Sequence, residues 1–501
     1  MTAVLTVLAF AVRFPNLKMP AYIEFDETYY AKEAWSVMTF GYARAWPDGD
    51  TVNPLLNQDL NPAAHVLDGP DFVVHPMLAK WLIASGQWLF GFDPFGWRFA
   101  ACVVGCLLVA AVVRLGRRLS RSTLIGGVAG LFICVDGLSV VMSRIALLDV
   151  FEAFFTVVGV ALVVRDRDWF RGKLADYLDK RGLRNLGGGF GPWVGWRPWR
   201  VAAGVAFGLA CGCKWNAMYV LAVMGLVSVV FDWQARRTAG ARVAAWHSLW
   251  RDGVPAFVYL VVVGFGTYVA TWASWFATSG GWGRQWGAEN PSAPSVRLLG
   301  APLAAWWHYQ ADIWRLHTGT YMATLPEHPF DAKPWGWLVI ARPILFARDT
   351  IQPGVDGCKA ADGDTCLRVT LAIGTPFLWW MAALALIAAL VFWLAGRDWR
   401  FAVPLLAGAA TWLGWFPNDD RQIFFFYAIM IIPFSATILA MCLGKILGPP
   451  SAGRRRQRGA IIVTACVVLI VANFAFIYPI LTDQLMTRAA WAARIWFTRW
   501  N

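Results

Sequence analysis

Charge is what this chain has least of. Only 15% of its 501 residues are Asp, Glu, Lys or Arg, and 58% are hydrophobic. A soluble domain would carry about one quarter charged residues. Negative charge is the scarcer sign, 31 residues against 44 basic ones, leaving a formal net charge of +13. The nine cysteines show no metal-ligand spacing. The histidines form no His-Glu-x-x-His pattern, so no metal site is expected, and a divalent-cation requirement stays open. Gly187-Gly188-Gly189 lacks the Gly-Lys-Ser/Thr of a phosphate-binding loop. The N-terminus lacks a basic start and a small-residue cleavage site, so a cleaved signal peptide is not expected. The apolar stretch Ala3–Val12 is short for a span; either the helix continues to about Pro15 or the natural start lies upstream.

What is present is a series of long apolar runs. Several reach the roughly 18–20 residues that cross a bilayer as a helix, and backbone groups in lipid must be satisfied within the segment. The chain reads as an all-α polytopic membrane protein, a single domain over 1–501. About eleven spans are expected, near 1–15, 96–114, 124–142, 147–164, 200–213, 216–231, 254–276, 370–395, 401–416, 423–445 and 460–480. Many of the 31 Trp sit at the ends of these runs, as interfacial anchors do. Basic residues cluster after spans two, four, six, eight and ten. Eleven spans put all five clusters on one face, cytoplasmic by the positive-inside rule. The net positive charge is thus a matter of topology, and no nucleic-acid partner is expected. The N-terminus falls inside and the 481–501 tail outside. Two long outer loops result, 16–95 and 277–369, and loops this long are usually functional. Pro76–Phe90 and Ala304–His317 within them have the spacing of amphipathic surface helices.

Chemistry-bearing residues collect at outer span ends. Glu24, Asp26 and Glu27 follow span one among Tyr22, Phe25, Tyr29 and Tyr30. A carboxylate beside apolar surface has a raised pKa, which suits a general base; the plain alternative is an acidic first helical turn. His75-Pro76 opens a helix that places Lys80 one turn in, to meet a phosphate or to snorkel. Arg144 and Asp149 flank the turn between spans three and four. They are functional candidates by position or simply a pair with each other. Lys214 lies between spans five and six. Arg421 lies in Pro417-Asn418-Asp419-Asp420-Arg421-Gln422, ahead of Phe424-Phe425-Phe426-Tyr427. Such cations suit a lipid phosphate. His308, His317 and His328 of the second loop fit a substrate groove better than a metal. Cys358 and Cys366 flank the polar stretch 359–365, and a disulfide is expected if that loop faces an oxidising compartment.

The order Phe-Asp-Glu-Thr-Tyr-Tyr-Ala-Lys (25–32), Val-His-Pro-Met-Leu-Ala-Lys (74–80), Ser-Arg-Ile-Ala-Leu-Leu-Asp (143–149) and Asp-Asp-Arg-Gln-Ile-Phe-Phe-Phe-Tyr (419–427) resembles the protein O-mannosyltransferases that use polyprenyl-phosphate-mannose, in particular the actinobacterial branch. The resemblance covers nearly the whole chain. It implies a GT-C fold in the cell membrane and transfer of mannose from the lipid phosphate to Ser or Thr of a secreted, translocating protein, with the secretion translocon as a further partner. It makes Asp26 the catalytic residue and Glu27 its neighbour in acceptor binding. Lys80, Arg144, Asp149, Lys214 and Arg421 become donor-binding candidates. Glu24, His75, His308 and His317 become acceptor or structural candidates. Met77 and Ala79 depart from the family's His-Pro-Pro-Leu-Gly-Lys and stay apolar. A related transferase acting on a glycolipid or cell-wall glycan, of the arabinose or aminoarabinose type, is the alternative. A transporter without chemistry would show symmetric halves, which this chain lacks.

Overall fold

The computed structural model describes residues 1–319, 324, 326, 328–361, 363–418 and 420–501. Asp362 and Asp419, which belong to two of the turns named above, lie outside the described residues. Each of the eleven apolar runs contains helix, several of them broken into two or more pieces. Among the described residues, five helices are long and apolar enough to cross a membrane by length and composition, Pro94–Ser120 and Gly453–Leu481 being two of them. Thr2–Arg13, Thr123–Cys134 and Ile432–Leu447 are shorter apolar helices.

The breaks have local causes. The run at 124–142 divides into Thr123–Cys134 and Gly137–Met142 because Asp136 caps the second piece. Its carboxylate accepts from Ser139 N at 2.8 Å and from the Trp379 indole at 2.7 Å, which pins the break to the Pro376–Leu394 helix. The Pro198–Cys213 helix approaches the 253–277 segment through glycines. A Cβ on Gly204 would lie 1.9 Å from the Tyr259 carbonyl, and one on Gly208 would lie 2.4 Å from that of Gly264. Small residues four apart let the two backbones touch.

The run expected to span from 370 begins as a strand. β1 (Ile344–Ile351) pairs antiparallel with β2 (Cys366–Ala372), and β2 pairs with β3 (Met486–Thr487) of the C-terminal tail. The helix starts only at Pro376. A short apolar run buried on both faces does not distinguish strand from helix by its pattern. The small sheet is an addition to the mainly helical expectation, and the Cys358–Cys366 disulfide closes the β1–β2 loop.

The arginine-rich turns gather at one end of the bundle. Arg118 meets Asp168, Arg167 stacks on Trp399 at 3.5 Å, and Lys445 reaches Asp398 at 3.3 Å. The 16–95 segment, the sheet and the Ala301–Thr318 helix lie at the other end, where the candidate site is built.

Candidate active site

Asp26 stands immediately before the Glu27–Phe40 helix. Phe25 ahead of it takes a left-handed backbone conformation, φ 45°. That turn drives the Phe25 ring into an aromatic nest with Phe346, Phe424 and Phe426, at centroid distances of 5.3–5.9 Å. The nest fixes the acidic motif against the 424–427 segment and the sheet. Asp26 and Glu27 then diverge by one helical step.

Glu27 is buried and saturated. Arg98 forks onto it with two bonds of 2.8 Å, and the backbone N–H groups of Ala146 and Glu24 donate at 2.9 and 3.1 Å. These four bonds take up the Glu27 carboxylate, two on each oxygen. Arg98 was not singled out in the sequence, although an arginine early in an apolar helix is a signal in itself. Its other donors go to the carbonyls of Pro20 and Tyr22, which ties the motif to the Pro94–Ser120 helix.

Asp26 is half-buried, and its carboxylate takes no hydrogen bond from the described residues. Burial lifts its pKa to about 7, the Lys214 ammonium opposes the rise, and Asp149 and Glu33 add to it. Glu24 is buried beside it and lifted well above the carboxylate range, first by burial.

Lys214 occupies the break between the Pro198–Cys213 and Ala217–Thr238 helices. Its ammonium donates to Asp149 at 2.8 Å and lies 4.2 Å from the centre of the Tyr427 ring. It lines a cavity together with Arg421, His75, His317, Tyr427 and Asn418. The Arg421 Nε is buried without a hydrogen-bond partner among the described residues. His75 and His317 stack at 5.3 Å, and the His317 Nε2 is 3.1 Å from the Val74 carbonyl. Burial, then the charges of Lys214 and other nearby cations, push His75 well below its ordinary pKa, so it is neutral at pH 7. A second, apolar groove shares Trp215, Met218 and Trp314 with this cavity and continues along Leu221, Val261 and Phe265.

Three other candidates stand elsewhere. Lys80 is buried against Glu33 at 3.1 Å and donates to the His75 carbonyl at 2.7 Å. It neither snorkels nor reaches the cavity; it braces the turn that presents His75. Arg144 does not pair with Asp149. Its guanidinium binds the carbonyls of Arg13, Pro15 and Asn16, which spends its donors on the end of the first helix. His308 stacks on Trp286 at 4.2 Å and pairs with Asp312, away from the cavity. Glu152, one turn after Asp149, went unremarked in the sequence. Both its oxygens are buried with no hydrogen bond of good geometry from the described residues, the Ala217 backbone N–H being the nearby donor. Among the described residues no three His, Cys, Asp or Glu side chains converge as metal ligands.

Residues 3–279 match the family described as dolichyl-phosphate-mannose-protein mannosyltransferase, and residues 302–500 match the C-terminal four-transmembrane region of protein-O-mannosyltransferase. The polyprenol-phosphate-mannose–protein mannosyltransferase of Mycobacterium tuberculosis is 37% identical over 100% of this chain and 91% of its own length. That of Corynebacterium glutamicum is 32% identical over 100% of this chain and 93% of its own. Among solved structures, the Saccharomyces cerevisiae protein O-mannosyltransferase Pmt1–Pmt2 complex bound to the sugar donor superposes with a TM-score of 0.72 at 13% identity, covering 100% of this chain and 92% of that one. ArnT of Cupriavidus metallidurans bound to undecaprenyl phosphate has a TM-score of 0.50 at 16% identity, covering 95% and 70%. The fold is therefore the GT-C fold that the motifs implied, and the chain belongs to the dolichyl-phosphate-mannose-protein mannosyltransferase family.

Proposed function

We propose that the protein transfers mannose from polyprenyl-phosphate-mannose to Ser or Thr hydroxyls of secreted proteins, with inversion, on the extracytoplasmic face of the cell membrane, and that Asp26 is the base. The observation that carries this reading is an incomplete charge arrangement. The Asp26 carboxylate, which takes no hydrogen bond from the described residues, lies within the field of the Lys214 ammonium, and Lys214 and Arg421 line a cavity that opens beside an apolar groove. A lipid phosphate supplies the missing anion, and its polyprenyl chain suits the apolar groove.

The chemistry balances with these groups. The acceptor oxygen attacks C1 of mannose as the C1–O bond to phosphate breaks. The hydroxyl proton passes to Asp26, and polyprenyl phosphate leaves with the bonding electron pair. One displacement converts a β-linked donor into an α-linked product. Phosphate is a good leaving group, so the departing side needs positive charge rather than a strong acid. Lys214, held by Asp149, and Arg421, with an unspent Nε, provide it. The neutral His75–His317 stack, with a pKa already depressed at His75, takes no proton at pH 7 and serves as a wall for the sugar. The side assignment rests on the arginine-rich end facing the cytoplasm.

A donor site of this kind also suits a transferase acting on glycolipids, so the acceptor decides. Membranes containing the protein, given polyprenyl-phosphate-mannose and a Thr-rich peptide, are expected to yield mannosylated peptide. Exclusive formation of glycolipid product would remove the protein-acceptor reading.

A further inference from the structure

We propose that Arg114, Arg117, Arg118 and Arg121, at the end of the bundle opposite the Asp26 site, form a binding site for the headgroup of an anionic phospholipid that carries two phosphates. These residues occupy the last two turns and the cap of the Pro94–Ser120 helix and line a shallow bowl with a single acidic residue, Asp168. Arg118 lies about 30 Å from Arg98 along that helix at 1.5 Å per residue, a full hydrocarbon thickness away from the acidic motif. The proposal does not depend on the acceptor or on the catalytic role of Asp26.

The bowl has an excess of charge that the fold leaves standing. Asp168 is already divided between Arg118 at 3.2 Å and Arg167 at 3.0 Å. Arg114, Arg117 and Arg121 are exposed and have no carboxylate within salt-bridge distance among the described residues. Arg165 stands beside them, stacked on Trp199 at 3.3 Å. Desolvation first, then the nearness of Arg118 and Arg114, holds it below the usual arginine range. Arg121 sits in a left-handed backbone conformation, φ 56°, at a cap position where glycine is the easy choice. The neighbouring cations are treated differently: Arg197 and Arg200 share two carboxylates, Asp166 and Asp232, in a closed network.

Three guanidiniums without carboxylates call for more than one negative charge, and a planar fork matches phosphate two donors at a time. One phosphodiester would leave most of the excess in place. A lipid source follows from the surroundings. The turn that carries Arg121 also contributes Ser120 and Ser122 to an adjacent groove, whose walls are Leu124, Ile125, Met441 and Leu447 and whose rim holds Arg400 and Lys445. A polar bowl and an apolar trough carried by the same turn, at the end of a membrane-length helix, suit a headgroup with acyl chains.

The test uses the full chain in detergent micelles, with native mass spectrometry reporting retained lipid. Cardiolipin is the two-phosphate probe, with phosphatidylglycerol, phosphatidylcholine and soluble pyrophosphate as comparisons. Cardiolipin is expected to bind about tenfold tighter than phosphatidylglycerol, with pyrophosphate a poor competitor. The triple variant Arg114→Gln/Arg117→Gln/Arg121→Gln is expected to lose at least about tenfold in cardiolipin affinity while transferring mannose like the parent. The corresponding Lys triple keeps the charge and guards against a folding defect; it is expected to bind better than the Gln triple. Arg454→Gln/Arg455→Gln/Arg458→Gln, in another basic turn, is expected to change nothing. Equal binding of phosphatidylglycerol, equal loss in the 454–458 variant, or displacement of cardiolipin by pyrophosphate at matching concentration would each overturn the proposal.

Discussion

The two ends of the bundle handle buried charge in opposite ways. At the arginine-rich end, Arg197 and Arg200 are matched to Asp166 and Asp232, with bonds of 3.0 Å from Arg197 to Asp166 and 2.8 Å from Arg200 to Asp232. Arg236 forks onto Asp252 at 2.7 and 2.8 Å and spends its remaining donors on the Phe190 and Pro192 carbonyls. At the Asp26 end, among the described residues, the Asp26 carboxylate accepts no hydrogen bond, and the Arg421 Nε and both Glu152 oxygens lack a partner of good geometry. Each buried, unmade hydrogen bond costs about 1–3 kcal/mol. A fold that pairs its buried ions well at one end leaves that cost standing at the other, where a charged substrate can relieve it. The same contrast recurs between adjacent residues, with Glu27 closed by four bonds and Asp26 open.

The comparison breaks most sharply at Asp26. Asp26→Asn is expected to lower mannosyl transfer by about 10²–10⁴, the usual worth of a positioned base, with thermal unfolding unchanged. Glu27→Ala is expected to do the reverse. Removing one partner of a buried pair costs about 3–5 kcal/mol, read as a fall in unfolding temperature, while correctly folded molecules still bind acceptor. Arg421→Ala comes next. Loss of a charged hydrogen-bond donor, about 1.5–3 kcal/mol, is expected to weaken donor binding roughly 10–100-fold and leave acceptor binding nearly constant; an unchanged donor affinity would remove Arg421 from the phosphate site. His308→Ala marks the small end, with both transfer and stability within about 0.5 kcal/mol of the parent, because its stack on Trp286 lies apart from the cavity.

Much of this layout was legible in the residues. Apolar runs located the helices, and the positions of Arg114–Arg121, Arg165–Arg171 and Lys445 foretold that they would gather at one end. The cavity collected Lys214 and Arg421, picked out at outer span ends, and His75 and His317, picked out in the two outer loops. Partnership was not legible. Nothing local distinguishes Glu27 from Asp26, because the difference is made by Arg98, 71 positions away. Arg144 and Lys80 had the right charge and location, but distant backbone carbonyls and Glu33 claim their donors. The strand at 366–372 was hidden because its pairing partners lie in β1 and in the far C-terminal tail.

The pH dependence of transfer, measured at saturating donor and peptide for the parent and Asp26→Asn, tests the division between the two carboxylates most directly. Asp26 must be unprotonated to accept the hydroxyl proton, and burial lifts its pKa to about 7. The parent rate is therefore expected to rise with pH through a midpoint near 7 and then level off. The residual rate of Asp26→Asn is expected to lack that limb. A limb retained in Asp26→Asn, or a variant rate close to the parent's, would contradict the account.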